Sequence, residues 1–154
     1  MTRVCFLTHN LKQDNGAGVF SLCLINGLKE NYGVEPTVFI HPISFFKLWR
    51  AIKKCDIVHA LDVWPYAVLG YLASRGLRKK FIITAVGSGA LLPLYDWRHV
   101  WITKRAYRAA DKVTAVSNFT KQEILKKVPG LEIKVITHGV DFEKFQKTNQ
   151  LRAN

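Results

Sequence analysis

Six short, mainly apolar runs constrain this chain most: Val4–Leu7, Thr37–Ile40, Ile57–Ala60, Phe81–Val86, Val113–Val116 and Ile133–Ile136. None reads as a regular alternation of apolar and polar residues. Continuous β-rich runs suit parallel strands buried on both faces, whereas a strand with one wet face alternates. Parallel strands need crossover connections of a dozen or more residues, and segments of helix length separate most of the runs. The pattern predicts an α/β fold: a single Rossmann-like, doubly wound, mostly parallel sheet of about six strands with helices on both faces.

The intervening segments carry helix signals. Val19–Leu28 is apolar nearly all round, as a buried helix is, and Gly33 follows at a C′ position. Phe45, Leu48, Trp49 and Ile52 repeat at helical spacing, with Lys47, Arg50 and Lys54 on the other face. Asp62 precedes a helix with Pro65 in its first turn and Gly76 at its end. Trp97–Ala110 reads as another amphipathic helix. Ser117 or Asn118 caps one that runs to about Lys127, where Pro129-Gly130 stops it. The pattern covers residues 1–140 as one domain and fades over 141–154, a tail or the start of a linker.

Charge narrows the partners. At 49% hydrophobic and 22% charged, the 154 residues are neither disordered, collagenous nor coiled coil. The 23 Lys and Arg outnumber 11 Asp and Glu, a net +12, which points to phosphates in nucleic acid, anionic lipid or a phosphorylated substrate. Three stretches hold cations and no acid. Phe45–Cys55 carries Lys47, Arg50, Lys53 and Lys54; Val63–Tyr95 carries Arg75, Arg78, Lys79 and Lys80; Trp97–Ala110 carries Arg98, Lys104, Arg105 and Arg108. Interleaved Phe45, Phe46, Trp49, Trp97, Trp101 and Tyr107 would let such helices lie on an anionic membrane surface. The same stripe also suits helices with an aromatic core side and a solvated basic side. No RRM, KH or helix-turn-helix pattern favours nucleic acid.

Cys5, Cys23 and Cys55 are odd in number, sit in apolar runs and form no CxxC pair, so buried free thiols are expected. No His or Cys spacing predicts a metal site. No run approaches the roughly 18 apolar residues of a membrane span. The expected location is cytoplasmic, or peripheral on the inner face of the membrane.

Candidate site residues cluster after the strands. Asn15-Gly16-Ala17-Gly18 follows the first run, where glycines let backbone N–H groups approach a phosphate at a helix start. A dinucleotide fingerprint would need glycine at Ser21 and an acid where His41-Pro42 ends the second run. An anion or substrate loop therefore stands against a plain turn. Gly87-Ser88-Gly89 follows the fourth run with the same two readings, and it is not a G-x-S-x-G elbow. His59 is a core histidine, or a donor or base if it points into a cleft. Asp62 is the carboxylate after the third run, or the cap of the next helix. His9 ends the first run and His138 follows the last.

Four stretches together resemble the N-terminal domain of the group 1 (family 4) glycosyltransferases, which have the GT-B fold. Asn15-Gly16-Ala17-Gly18-Val19-Phe20 matches the glycine loop before helix one. Asp56-Ile57-Val58-His59-Ala60 is similar to the strand "DIVHAH". Ala110-Asp111-Lys112-Val113-Thr114-Ala115-Val116-Ser117 matches "ADRVIAVS". Ile136-Thr137-His138-Gly139-Val140-Asp141-Phe142-Glu143-Lys144-Phe145 matches "IPNGVDLERF". They stand in the family's order and span nearly the whole chain.

The resemblance implies a retaining hexosyltransferase that moves sugar from a nucleotide-diphosphate sugar to an acceptor, lipid-linked or at the membrane surface. It implies no metal and no tightly bound cofactor. This domain would hold the acceptor. A C-terminal Rossmann-like domain or partner subunit would hold the donor, and this domain alone would be inactive. The resemblance puts Gly16 and Gly18 near the donor phosphates or acceptor, Gly87, Ser88 and Gly89 in the loop after strand four, and Ser117 near the cleft. Two positions depart. Val86 stands where many relatives have a functional histidine, and His138 stands where the family has asparagine. The alternative from another class is a non-enzymatic basic α/β module that binds anionic lipid headgroups or RNA.

Overall fold

A computed structural model describes residues 1–13, 15–40 and 44–139. His41-Pro42, the segment 141–154 and the end of the fourth matching stretch lie outside the described residues. Strands β1 (Arg3–Thr8), β2 (Glu35–Ile40), β3 (Ile57–Leu61), β4 (Lys80–Ala85), β5 (Lys112–Ala115) and β6 (Ile133–Val135) form one sheet in the order β2-β1-β3-β4-β5-β6. Every pairing is parallel, so the sheet is wholly parallel. The central strands are buried on both faces and the edge strand β2 is not.

Six helices connect the strands: α1 (Gly16–Tyr32), α2 (Phe45–Lys54), α3 (Val68–Ser74), α4 (Gly87–Leu91), α5 (Val100–Ala109) and α6 (Asn118–Lys127). Right-handed crossovers decide their faces. The connections from β2 to β3, β4, β5 and β6 all step the same way across the sheet, so α2, α3, α5 and α6 share one face. Leu48, Ile52, Ala73, Tyr107 and Ile124 from these helices meet Cys5, Leu7, Val58, Ile83 and Val113 in the main core. The step from β1 to β2 runs the other way and puts α1 on the second face, where Ile25 meets Val4, Phe6 and Leu61. Among the described residues α1 is the only helix on that face, and it leaves the half over β4–β6 uncovered.

That asymmetry corrects two expectations. The apolar helix α1 is not buried all round: it buries Gly18, Ser21 and Ile25, while Val19 is 37% exposed. A helix without a neighbour on its face can bury only the side against the sheet. Cys23, on α1, is accordingly exposed, unlike Cys5 and Cys55. Burial pushes the Cys5 thiol up to about 12.

Local chemistry moves other boundaries. The helix expected from Asp62 is first a π-type turn, Val63–Ala67, with Trp64 extended at φ −106 and ψ 127, and α3 follows it. The helix expected from Trp97 begins at Val100, because the Asp96 carboxylate accepts the Arg98 N–H at 3.0 Å and holds His99 Nδ1 at 2.7 Å in a local turn. Gly87-Ser88-Gly89 opens α4 and is not a loop. Gly33 does end α1, at φ 61, with its N–H on the Leu28 and Lys29 carbonyls. No described helix is long and apolar enough to cross a membrane.

Candidate active site

The connections from β1 and β3 leave in opposite directions, so a crevice opens at the carboxyl ends of these two strands. Ligands of open α/β sheets bind at such a switch point. Here it is a cleft of about 190 Å³ whose walls include Thr8 and His9 after β1, Ala17 and Phe20 of α1, Asp62 after β3, and Val86, Gly87, Ser88 and Gly89 after β4. A wider mouth of about 490 Å³ continues past Trp64, Pro65 and Tyr66.

Asp62 dominates the cleft. Its backbone, at φ 135 and ψ 170, occupies a region that is essentially glycine's, at a cost of order 1–3 kcal/mol. Oδ1 accepts the Val63 N–H at 2.8 Å, and the Val86 N–H stands near enough to favour the charged carboxylate. The first bond fits the capping role, which explains neither the strain nor the burial. Burial raises Asp62 to about 7, against the lowering effect of those two N–H groups. Among the described residues no cation pairs with it. Strained, half-neutral carboxylates in clefts are a recurring mark of functional sites.

The neighbours hold Asp62 in place. A Cβ on Gly89 would lie 2.0 Å from Asp62 Oδ2, so only glycine fits there. The Val86 side chain carries no titratable group, yet its N–H supports the carboxylate. On the other wall His9 Nδ1 bonds the Tyr66 hydroxyl at 2.9 Å. Burial and the nearby Asp62 charge push the Tyr66 hydroxyl up. Thr8 Oγ1 and Ser21 Oγ, 2.7 Å apart, tie β1 to α1 beneath them.

The other expected residues fall elsewhere. Asn15 Oδ1 accepts the Gly18 N–H at 2.8 Å as the cap of α1. A Cβ on Gly18 would stand 2.0 Å from the Lys12 carbonyl oxygen, so this glycine lets the preceding loop pack. Gly16 lines a different space, an apolar groove of about 590 Å³ with Val19, Phe20, Cys23, Ile136 and His138. His59 is 9% exposed beside that groove, its Nε2 bonded to Thr84 Oγ1 at 2.8 Å, and burial lowers it to about 4. It is a neutral, satisfied core histidine. His138 stacks on Phe20 at 4.0 Å between ring centroids, and burial lowers its pKa. The Ser117 hydroxyl caps α6 through the Thr120 N–H at 3.1 Å. Lys47, Arg50, Lys54, Arg98, Arg105 and Arg108 are exposed and Lys104 partly so, on α2, α5 and the turn before α5. Beside them Phe46, Trp97 and Trp101 are 77%, 83% and 62% exposed.

Sequence reasoning placed His9 at the end of the first run without giving it a role, and left out Tyr66. His9 was findable, because a residue just past a parallel strand lies on the ligand edge. Tyr66 was not, because its place depends on the π-type turn. Among the described residues no three His, Cys, Asp or Glu gather to hold a metal.

Comparisons with known proteins agree with this fold. No curated protein matches the chain. Among solved structures it is similar to the Anabaena protein Alr3699/HepE in complex with UDP and glucose, at TM-score 0.68 and 19% identity, covering 99% of this chain and 50% of that one. The same protein with UDP gives TM-score 0.66, 19% identity, and 99% and 49% coverage. With UDP-glucose the values are 0.65, 19%, and 99% and 50%. At this identity the likeness carries the fold, and the chain spans about half the length of those chains. The family model for Glycosyltransferase Family 4 matches residues 3–144, and the chain belongs to that family.

Proposed function

We propose that this chain is the acceptor-binding half of a retaining glycosyltransferase that moves a hexose from a nucleotide-diphosphate sugar. The observation that carries the reading is Asp62, a partly buried carboxylate without a cation partner among the described residues, held at the switch-point cleft against Gly89 and by the Val63 N–H. An acceptor hydroxyl in the cleft donates its hydrogen bond to Asp62. Its oxygen bonds the anomeric carbon on the same face from which the diphosphate departs, as retention in one step requires, and the hydroxyl proton passes to the carboxylate as the bond to the diphosphate breaks. Gly87, Ser88 and Gly89 form the wall toward the donor. Backbone N–H groups there would stabilise charge on the diphosphate. Retention follows from the resemblance to the group 1 enzymes. Family membership favours a transferase over a non-enzymatic binding module.

The donor belongs to a second unit, a Rossmann-like domain or a partner subunit. The half-length match to the UDP complexes of Alr3699/HepE supports this, as does the open apolar groove beside α1. We infer an acceptor at the inner membrane surface from the exposed Phe46, Trp97 and Trp101 among cations, a composition suited to a bilayer interface.

The test is to incubate the chain with UDP-glucose and candidate acceptors, alone and joined to the second unit, and to measure UDP release and glycoside. Transfer by the joined protein only is expected. Transfer by neither, across several nucleotide sugars, contradicts the reading.

A further inference from the structure

The opposite edge of the sheet carries a second cavity, of about 200 Å³, where α3 ends and β4 begins. Tyr71, Ser74, Arg75, Arg78, Lys79 and Phe81 line it. With Ala109 the lining has seven residues, three of them cations, and among the described residues none of the three is in an ion pair. The acids of this edge are already engaged: Asp56 with Arg3 at 3.3 Å and Asp111 with Lys80 at 3.1 Å.

The cations hold only weak partners. Lys79 Nζ donates to the Lys53 carbonyl at 3.1 Å and lies within electrostatic reach of Asp56 without pairing with it, and the Arg75 guanidinium lies 5.9 Å from the Tyr71 ring centre. Arg75 caps α3, where a cation complements the carboxyl end of a helix. Arg78 and Lys79 lie past that end and have no such partner. Arg78 also sits at φ +46, a left-handed backbone that glycine takes without strain. Three like charges around one cavity repel each other until an anion enters.

We propose that this cavity is a phosphate-binding site, separate from the cleft, which takes the phosphate of a soluble phosphomonoester or of a lipid headgroup. Two guanidinium forks and an ammonium match a phosphate that bears more than one charge. Tyr71 lines the space beside the cations, which suits the carbon skeleton to which the phosphate is attached. The site does not depend on the transferase reading.

The test is a nuclear magnetic resonance titration of the chain with inorganic phosphate at low salt. It is paired with sedimentation on phosphatidylcholine vesicles with and without phosphatidic acid. Saturable shifts confined to the amides around Ser74–Phe81 are expected. The variant Arg75→Gln/Arg78→Gly/Lys79→Gln should weaken phosphate binding at least about tenfold. Lys29→Gln/Lys121→Gln/Lys134→Gln removes equal charge elsewhere and should change it less than about twofold. Arg78→Gly alone, which keeps the backbone geometry, carries the test if the triple variant does not fold. Vesicle binding that follows the same variants identifies a headgroup, and phosphate binding without it identifies a soluble ligand. Shifts that do not saturate, or equal weakening by both charge variants, overturn the proposal.

Discussion

Replacing Asp62 with asparagine keeps the side chain's shape and removes its titration. The folded-state pKa is about 7 against 3.8 for the free side chain. A raised carboxylate pKa means that its stability contribution is complete below 3.8 and is lost as pH rises through about 7. The gap between the two values corresponds to about 4 kcal/mol of destabilisation at pH 8. About 1.5 kcal/mol of it is already present at pH 5, which leaves about 2.5 kcal/mol between the two. Asparagine offers one carbonyl oxygen to the Val63 and Val86 N–H groups, so a constant loss of about 1 kcal/mol is expected at both pH values. His59 titrates in the same window with the opposite sign, so wild-type stability alone does not isolate Asp62. The readout is the difference between Asp62→Asn and wild type in urea unfolding at pH 5 and pH 8. That difference should move in favour of the variant by about 2.5 kcal/mol between the two. Curves that stay parallel within about 0.5 kcal/mol would refute the claim that burial holds this carboxyl near neutrality.

Other parts of the structure make separate predictions. Gly89→Ala drives a methyl into Asp62 Oδ2; it should cost roughly 1–3 kcal/mol in thermal unfolding and lower transfer activity more than Gly16→Ala does. His59, lowered to about 4 by burial, contributes stability that is present above 6.5 and lost as pH falls through about 4; His59→Gln should flatten the acid side of the stability profile. Of the three thiols, Cys23 alone should react with a thiol reagent in the native chain, with Cys5 and Cys55 following only on unfolding. Rapid labelling of all three would contradict the burial of the core pair.

The strands were legible because parallel strands buried on both faces leave continuous apolar runs. Val4–Leu7 became Arg3–Thr8, and Ile57–Ala60 became Ile57–Leu61. Helix α1 misled, because an all-round apolar helix reads as buried whether its outer side meets a neighbour or an open groove. Strand order decided that, through the direction of each crossover. Asp62 was legible as the carboxylate at a strand end. Its surroundings were not, because Val86 and Gly89, which pack against its carboxylate, lie far along the chain and reach it only when β4 pairs with β3. Gly18 shows the converse. The motif was visible, but its reason is the Lys12 carbonyl and not a ligand.

The central claim is that Asp62 handles the acceptor's proton in sugar transfer. Its most direct measurement is kcat for transfer by the chain joined to the proposed second unit, compared between wild type and Asp62→Asn. A fall of about 10²–10⁴ in kcat, with the KM for the nucleotide sugar nearly unchanged, is predicted. A variant that transfers sugar at the wild-type rate while folded would contradict it.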